Sequence, residues 1–195
     1  MQTTTEQVAV ESRAELRAWF SANWERSDSV WIVRYKKSAG DQHVTYDEFV
    51  DEAICFGWVD SRPRTLDAHR SMNLVSLRTR KSGWSRINKA RVERLSAAGL
   101  MAPSALACVE VAKQDGSWNK LDQVDAGVLP ADLVDAFEKA PQACAKFTSF
   151  PPSSKKIILK WIASAKAPET RARRVADTAE KAAKGERANH WRDRR

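Results

Sequence analysis

Glycine is scarce. Seven glycines in 195 residues leave little room for a phosphate-cradling loop, and neither a P-loop nor a dinucleotide-binding glycine pattern occurs. Cysteine is scarcer still. Cys55, Cys108 and Cys144 are odd in number, widely spaced and without a C-x-x-C pair. That argues against a disulfide framework and fits a reducing compartment. The three histidines, His43, His69 and His190, are scattered and show no zinc-ligand spacing. No apolar run approaches the roughly 20 residues of a membrane span. The opening MQTTTEQVAVESRAEL has neither the basic start nor the apolar stretch of a secretory signal. No G-x-S-x-G elbow and no pair of carboxylates placed for acid–base work stands out. These absences lead us to expect cytoplasmic residence, no membrane insertion, no metal and no cofactor.

Tryptophan and positive charge are what the chain has in quantity. Eight tryptophans are many for this length, and most are expected in the core, because large apolar rings are usually buried. The net charge is +8, and its placement is uneven. Residues 155–195 hold thirteen basic and five acidic side chains, an excess of eight, so residues 1–154 balance. Within that balanced part, residues 62–94 carry ten basic residues against only Asp67 and Glu93.

The periodicity predicts an α+β fold: a small antiparallel sheet with two helices, then a mainly helical C-terminal region. Ser12 with Glu15, and Thr45 with Glu48, form two capping-box patterns at helix starts. Between them VWIVRYKK, β-branched and aromatic, reads as a strand. Gly57 is placed as the cap that ends the second helix. WVDSRPRTL and RSMNLVSLR flank DAH as a hairpin, and Pro63, lacking an amide hydrogen, puts its strand at an edge or bulge. Ser85 opens the helical half, and Pro103, Pro130, Pro141 and Pro168 sit at helix starts, where their missing donor costs nothing. The softest boundary lies at residues 79–84, giving a sheet-containing region 1–83 and a helical region 84–195 with a basic tail.

The stretch CFGWVDSRPRTLD, residues 55–67, carries the leading candidate site. Residues i and i+2 of a strand share a face, so Trp58, Asp60, Arg62 and Arg64 are expected on one side. A ring, an acid and two guanidiniums suit a flat anionic ligand, since arginine offers a planar fork and stacks on rings. Trp84 is added to this set. The plainer reading is an ion pair on a solvated face. Cys55 lies at a helix C-terminus, whose partial negative charge raises a thiol pKa, so a buried structural thiol is expected. Tyr46, Asp47, Glu48, Asp51 and Glu52 read as a solvated acidic helix face.

RTRKSGWSRINKARVER, residues 78–94, is the alternative, a sequence-independent nucleic-acid surface. Arg78, Arg80, Lys81, Arg86 and Lys89 would neutralise phosphates, and an exposed Trp84 would stack a base. The competing reading makes Trp84 a buried anchor beside the helix cap. In KAPETRARRV, Arg171, Arg173 and Arg174 fall on different sides of a helix and cannot all meet one ligand.

These blocks resemble a known family. CFGWVDS, then SGWSRINKARVERLSAAGL, then KAPETRARRV look like the YdeI/OmpD-associated family, also labelled bacteriocin-protection or OmdA-like. Cys55, Phe56, Gly57, Trp58, Asp60, Trp84, Ser85, Asn88, Lys166, Pro168, Glu169, Thr170 and Arg171 fall on its motif positions, and the resemblance runs from the first helix to about Gly185. Where that family has a T-P-R element before W-S, this chain reads RTRKSGWS. The resemblance implies protection against bacteriocins or association with an outer-membrane porin, and carries over no catalytic residue or cofactor.

The expected function is therefore non-enzymatic: a cytoplasmic binder of an anionic small molecule or an acidic macromolecule, with a protective or stress role. Nucleic-acid binding is the alternative. An enzyme using Asp60 or Cys55 is a third class, for which no positioned acid–base partner is evident.

Overall fold

The computed structural model describes residues 5–189. They form two compact units, one up to Asn119 and one from Lys120. The helices that follow residue 84 thus begin inside the sheet-containing unit, and the stretch 79–84 is a loop within it.

In the first unit, helix α1 (Arg13–Ala22) starts at Ser12, whose hydroxyl accepts the Glu15 amide at 3.1 Å. The Glu15 carboxylate reaches back one residue further than a capping box requires, to the amide of Glu11. Helix α2 (Tyr46–Cys55) has the complete reciprocal box between Thr45 and Glu48. It ends through Phe56 into Gly57, which sits at φ +78° where a side chain would be strained. Helices α3 (Arg86–Ala97) and α4 (Pro103–Gln114) follow, with Ser85 accepting the Asn88 amide at the start of α3.

The sheet has four strands, β1 (Gln7–Val10), β2 (Val30–Tyr35), β3 (Trp58–Thr65) and β4 (Arg70–Leu77), in the order β1-β2-β4-β3. The hairpin of β3 and β4 is antiparallel, as is the β2–β4 pair. The sequence pattern predicts three antiparallel strands; β1 adds a fourth, and it pairs parallel to β2. Pro63 lies on the edge strand, where its missing donor breaks no ladder.

Register fixes the faces. Val30, Ile32 and Arg34 oppose Val75, Asn73 and Ser71, and this face carries the core residues Val30, Ile32 and Val75. Around them pack Leu16 and Phe20 of α1, Phe49, Ala53 and Ile54 of α2, Val92 and Leu95 of α3, and Ala105, Val109 and Ala112 of α4. Fully burying one such large side chain contributes about 1.5–3 kcal/mol.

The carboxylates of Asp51 and Glu52 are not the solvated face their sequence predicts. Both are buried, and they point to different partners. Glu52 accepts from Arg13 and Arg17 of α1, each at 2.7 Å. Asp51 accepts from Arg91 at 2.5 Å and Arg94 at 2.6 Å, both on α3. Two adjacent acids thus tie α2 to the helices on either side of it. Burial pushes the Asp51 carboxyl up, but the hydrogen bonds from Arg94 and Arg91 outweigh it and hold the group below the usual carboxylate range.

The second unit comprises helices α5 (Asp122–Asp125), α6 (Ala131–Glu138), α7 (Pro141–Thr148), α8 (Pro152–Ala163) and α9 (Pro168–Ala183). Leu133, Phe137, Phe147, Ile158 and Ile162 form its core. The arginines of KAPETRARRV diverge, as their spacing predicts. Arg171 grips Asp132 of α6 with two hydrogen bonds, at 2.6 and 2.9 Å. Arg174 bonds the Trp161 carbonyl of α8 and lies over the Trp161 ring. Arg173 is exposed. His190 and the tail beyond it lie outside the described residues.

Candidate functional site

The structure does not gather Trp58, Asp60, Arg62, Arg64 and Trp84 around one hollow. A β-bulge is the reason. Asp60 faces Val75 and Arg62 faces Leu74, so Ser61 has no opposite residue. One extra residue reverses the alternation. Trp58 and Asp60 therefore share the core-side face with Leu77 and Val75, while Arg62 and Arg64 share the other with Leu74 and Met72. Trp58 is 0% exposed, packed 5.5 Å from Trp19 and 5.7 Å from Phe20. Arg64 lies 5.4 Å over Trp31, where its stem covers apolar surface. Cys55 is fully buried, and burial raises its thiol pKa, as its position predicts.

Two concavities emerge instead, and each keeps part of the predicted set. The first, of about 250 Å³, is lined by Arg78, Arg80, Lys81, Ser82, Trp84, Cys108 and neighbours on α4. Its base is an arginine–tryptophan stack. The Arg78 guanidinium carbon sits 3.7 Å from the centre of the Trp84 ring. Trp84 is only 2% exposed and touches Trp118 on its other contacts, at 5.2 Å between ring centres. Arg78 donates to the Gly83 carbonyl at 3.3 Å, its Nε is buried without a hydrogen bond, and no carboxylate pairs with it. Burial pulls its pKa down to about 10, so it is still a cation at neutral pH. Lys81 holds the loop at φ +65°, a conformation uncommon for a residue with a side chain. Cys108 faces the same space; burial raises its thiol pKa and the Arg78 charge opposes that rise.

The rest of the basic stretch is used differently. Arg91 pairs with Asp47 and Asp51, and Arg94 pairs with Asp51. Lys89 reaches Asn119 and lies 5.4 Å from the Trp118 ring. Arg86 is exposed at the start of α3. With Arg78 over its ring, Trp118 tilted against it and only 2% of it exposed, Trp84 is the buried anchor rather than an exposed stacking platform.

The second concavity, of about 610 Å³, is more open. Arg34, Tyr46, Asp60, Ser61, Pro63, Arg64 and Asn73 line it. Arg34 is 6% exposed and was not singled out by the sequence pattern. The signal was present: it continues the Val30, Ile32 alternation onto the core face. Its Nη atoms donate to the Val44 carbonyl at 3.0 Å and to Oδ1 of Asn73 at 2.9 Å. Its Nε is buried and unpartnered. Tyr46 donates to Oδ2 of Asp60 at 2.8 Å. Tyr46 is half exposed; partial desolvation and that bond push the phenol pKa up to about 12, so the donor persists at neutral pH. Among the described residues no group of His, Cys, Asp and Glu could hold a metal, and no helix is long and apolar enough to cross a membrane.

Comparison with known families divides the chain near the boundary of its compact units. No curated protein and no solved structure matches. The blocks around Trp58 and Trp84 fall within residues 8–108, which match the family described as a domain of unknown function, DUF8412. The block around Arg171 falls within residues 126–185, which match OmdA, described as bacteriocin-protection, YdeI or OmpD-associated. The resemblance noted across the whole chain thus rests, for that family, on the second unit. With more than half its length matched, the chain belongs to the DUF8412 family, and residues 126–185 of its second unit match the OmdA, YdeI/OmpD-associated family.

Proposed function

We propose that the protein binds a small organic anion in the recess over the Arg78–Trp84 stack, as a non-enzymatic cytoplasmic binder. One observation carries this reading: Arg78 is a largely buried cation with no carboxylate within ion-pairing distance, facing a hollow whose rim adds Arg80, and Lys81 beside Asp115. Buried charges are ordinarily paired, so an uncompensated one marks a place for an anion. The lining also supplies Ala107, Val111 and Ala112, which favour a short apolar body on the ligand. A recess of this size takes a small carboxylate or phosphate ester rather than a polymer. Arg91 and Arg94 are engaged with acids of α2, which weighs against a phosphate-tracking surface along residues 78–94. The three cysteines are unpaired, in keeping with a reducing compartment.

Titration calorimetry with phenyl phosphate and benzoate tests this. Arg78→Gln is expected to weaken binding at least about tenfold, the loss of one charge-assisted contact. Its urea midpoint should not fall, because a buried unpaired cation has been removed. Equal binding by the variant, or no binding of either anion to the wild-type protein, refutes the proposal.

A further inference from the structure

The second concavity differs in character from the recess over Trp84. It presents both signs of charge, held apart. Arg34 supplies a buried positive charge with no carboxylate within ion-pairing distance, and an Nε–H that nothing satisfies. Asp60 supplies a half-buried negative charge that receives one hydrogen bond, from Tyr46 to Oδ2, while its Oδ1 accepts none from a described residue. The Tyr46 ring stands between the two: its centre is 5.7 Å from the Arg34 guanidinium carbon, and its hydroxyl is 2.8 Å from the Asp60 carboxylate. Asn73 commits Oδ1 to Arg34, which leaves its Nδ2 group as a further donor on the lining.

Charge decides what such a site can hold. A simple anion drawn to Arg34 meets repulsion from Asp60. A simple cation drawn to Asp60 meets Arg34 and Arg64. A molecule carrying both charges on adjacent groups satisfies both walls at once, and each contact strengthens as water leaves. We propose that this concavity binds a small zwitterion, its carboxylate toward Arg34 and Asn73 and its ammonium toward Asp60, with a free α-amino acid as the representative ligand. The volume of about 610 Å³ leaves room for the side chain beyond the two charged groups. Tyr46 positions the Asp60 carboxylate rather than touching the reactive ends of the ligand.

The site shares no lining residue with the anion recess, and the experiment keeps the two separate. Calorimetry of the full-length protein is run against the common free amino acids at millimolar concentration. The one that binds best is then compared with its N-acetyl and methyl ester derivatives. Each derivative removes one charge and is expected to bind at least about tenfold more weakly. Asp60→Asn still accepts from Tyr46, so the fold is retained. In that variant the free amino acid should lose its advantage over the N-acetyl form. Arg78→Gln should bind the amino acid as the wild type does. Four results overturn the proposal: no amino acid binds, a derivative binds as well as the parent, Asp60→Asn keeps the wild-type preference, or Arg78→Gln abolishes binding.

Discussion

Replacing Asp51 with asparagine should destabilise the first unit, and the effect should fade in acid. Asp51 is 6% exposed and accepts one guanidinium hydrogen bond from Arg91 and one from Arg94. Hydrogen bonds to charged groups contribute about 1.5–3 kcal/mol each. The pair with Arg94 is discounted, because that side chain is more than half exposed and regains water when released. Arg91 is mostly buried and keeps only the exposed Asp47 as a counter-charge. The expected net loss is about 2–3 kcal/mol, below the roughly 3–5 kcal/mol for a fully buried pair because Arg94 is solvated and Arg91 keeps Asp47. Asparagine preserves the shape, so a cavity does not contribute. The sign of the pH dependence follows from the lowered carboxyl pKa of the folded state. Its stabilisation is present above the unfolded pKa and is lost as pH falls through the folded pKa. Below that point Asp51 is neutral in both states and resembles the asparagine. The assay is urea unfolding followed by tryptophan fluorescence, since six of the eight tryptophans lie before residue 120. Midpoints should differ clearly at neutral pH and converge as pH falls below the usual carboxylate range. A gap that stays constant across that range would refute the ion-pair account and point to packing alone.

Deleting Ser61 should remove the bulge while leaving Asp60 opposite Val75 and Arg62 opposite Leu74, so every side chain keeps its face and the protein should stay soluble with a stability change of about 1 kcal/mol or less; a loss of more than about 3 kcal/mol in urea unfolding would refute the register. Arg171→Ala removes a two-pronged grip on Asp132, but both side chains are over a third exposed, so the loss should be only about 1 kcal/mol, read from helical ellipticity on urea titration. Arg78→Gln removes a charge that lowers the Cys108 pKa, so alkylation of Cys108 at mildly alkaline pH, followed by peptide mass, should slow; an unchanged rate would mean the two groups do not interact.

Local signals were readable from the residues, and long-range ones were not. Thr45 with Glu48, Ser85, Gly57 and the four helix-starting prolines act within one turn of chain, so their roles follow from spacing. β1 escapes because four residues, QVAV, hold no period of their own, and their partner strand begins more than twenty residues later. The bulge at Ser61 escapes because only the register against β4 defines it. That single residue divides the expected site, sending Asp60 to one face and Arg62 to the other. Asp51 and Glu52 read as surface because a carboxylate's burial depends on arginines some forty residues away. Arg34 was within reach, since alternation from Val30 and Ile32 aims it inward. Arg78 was named in the basic run, but its fold-back over Trp84 depends on the loop that Lys81 bends.

The outer strand β3 joins an unpaired serine to a proline two residues later. A neighbouring sheet seeking to extend along that border would meet a broken spacing of donors and a missing amide within the same short span. The irregularity that turns Arg62 away from Asp60 therefore also guards the free rim of the sheet against unwanted joining.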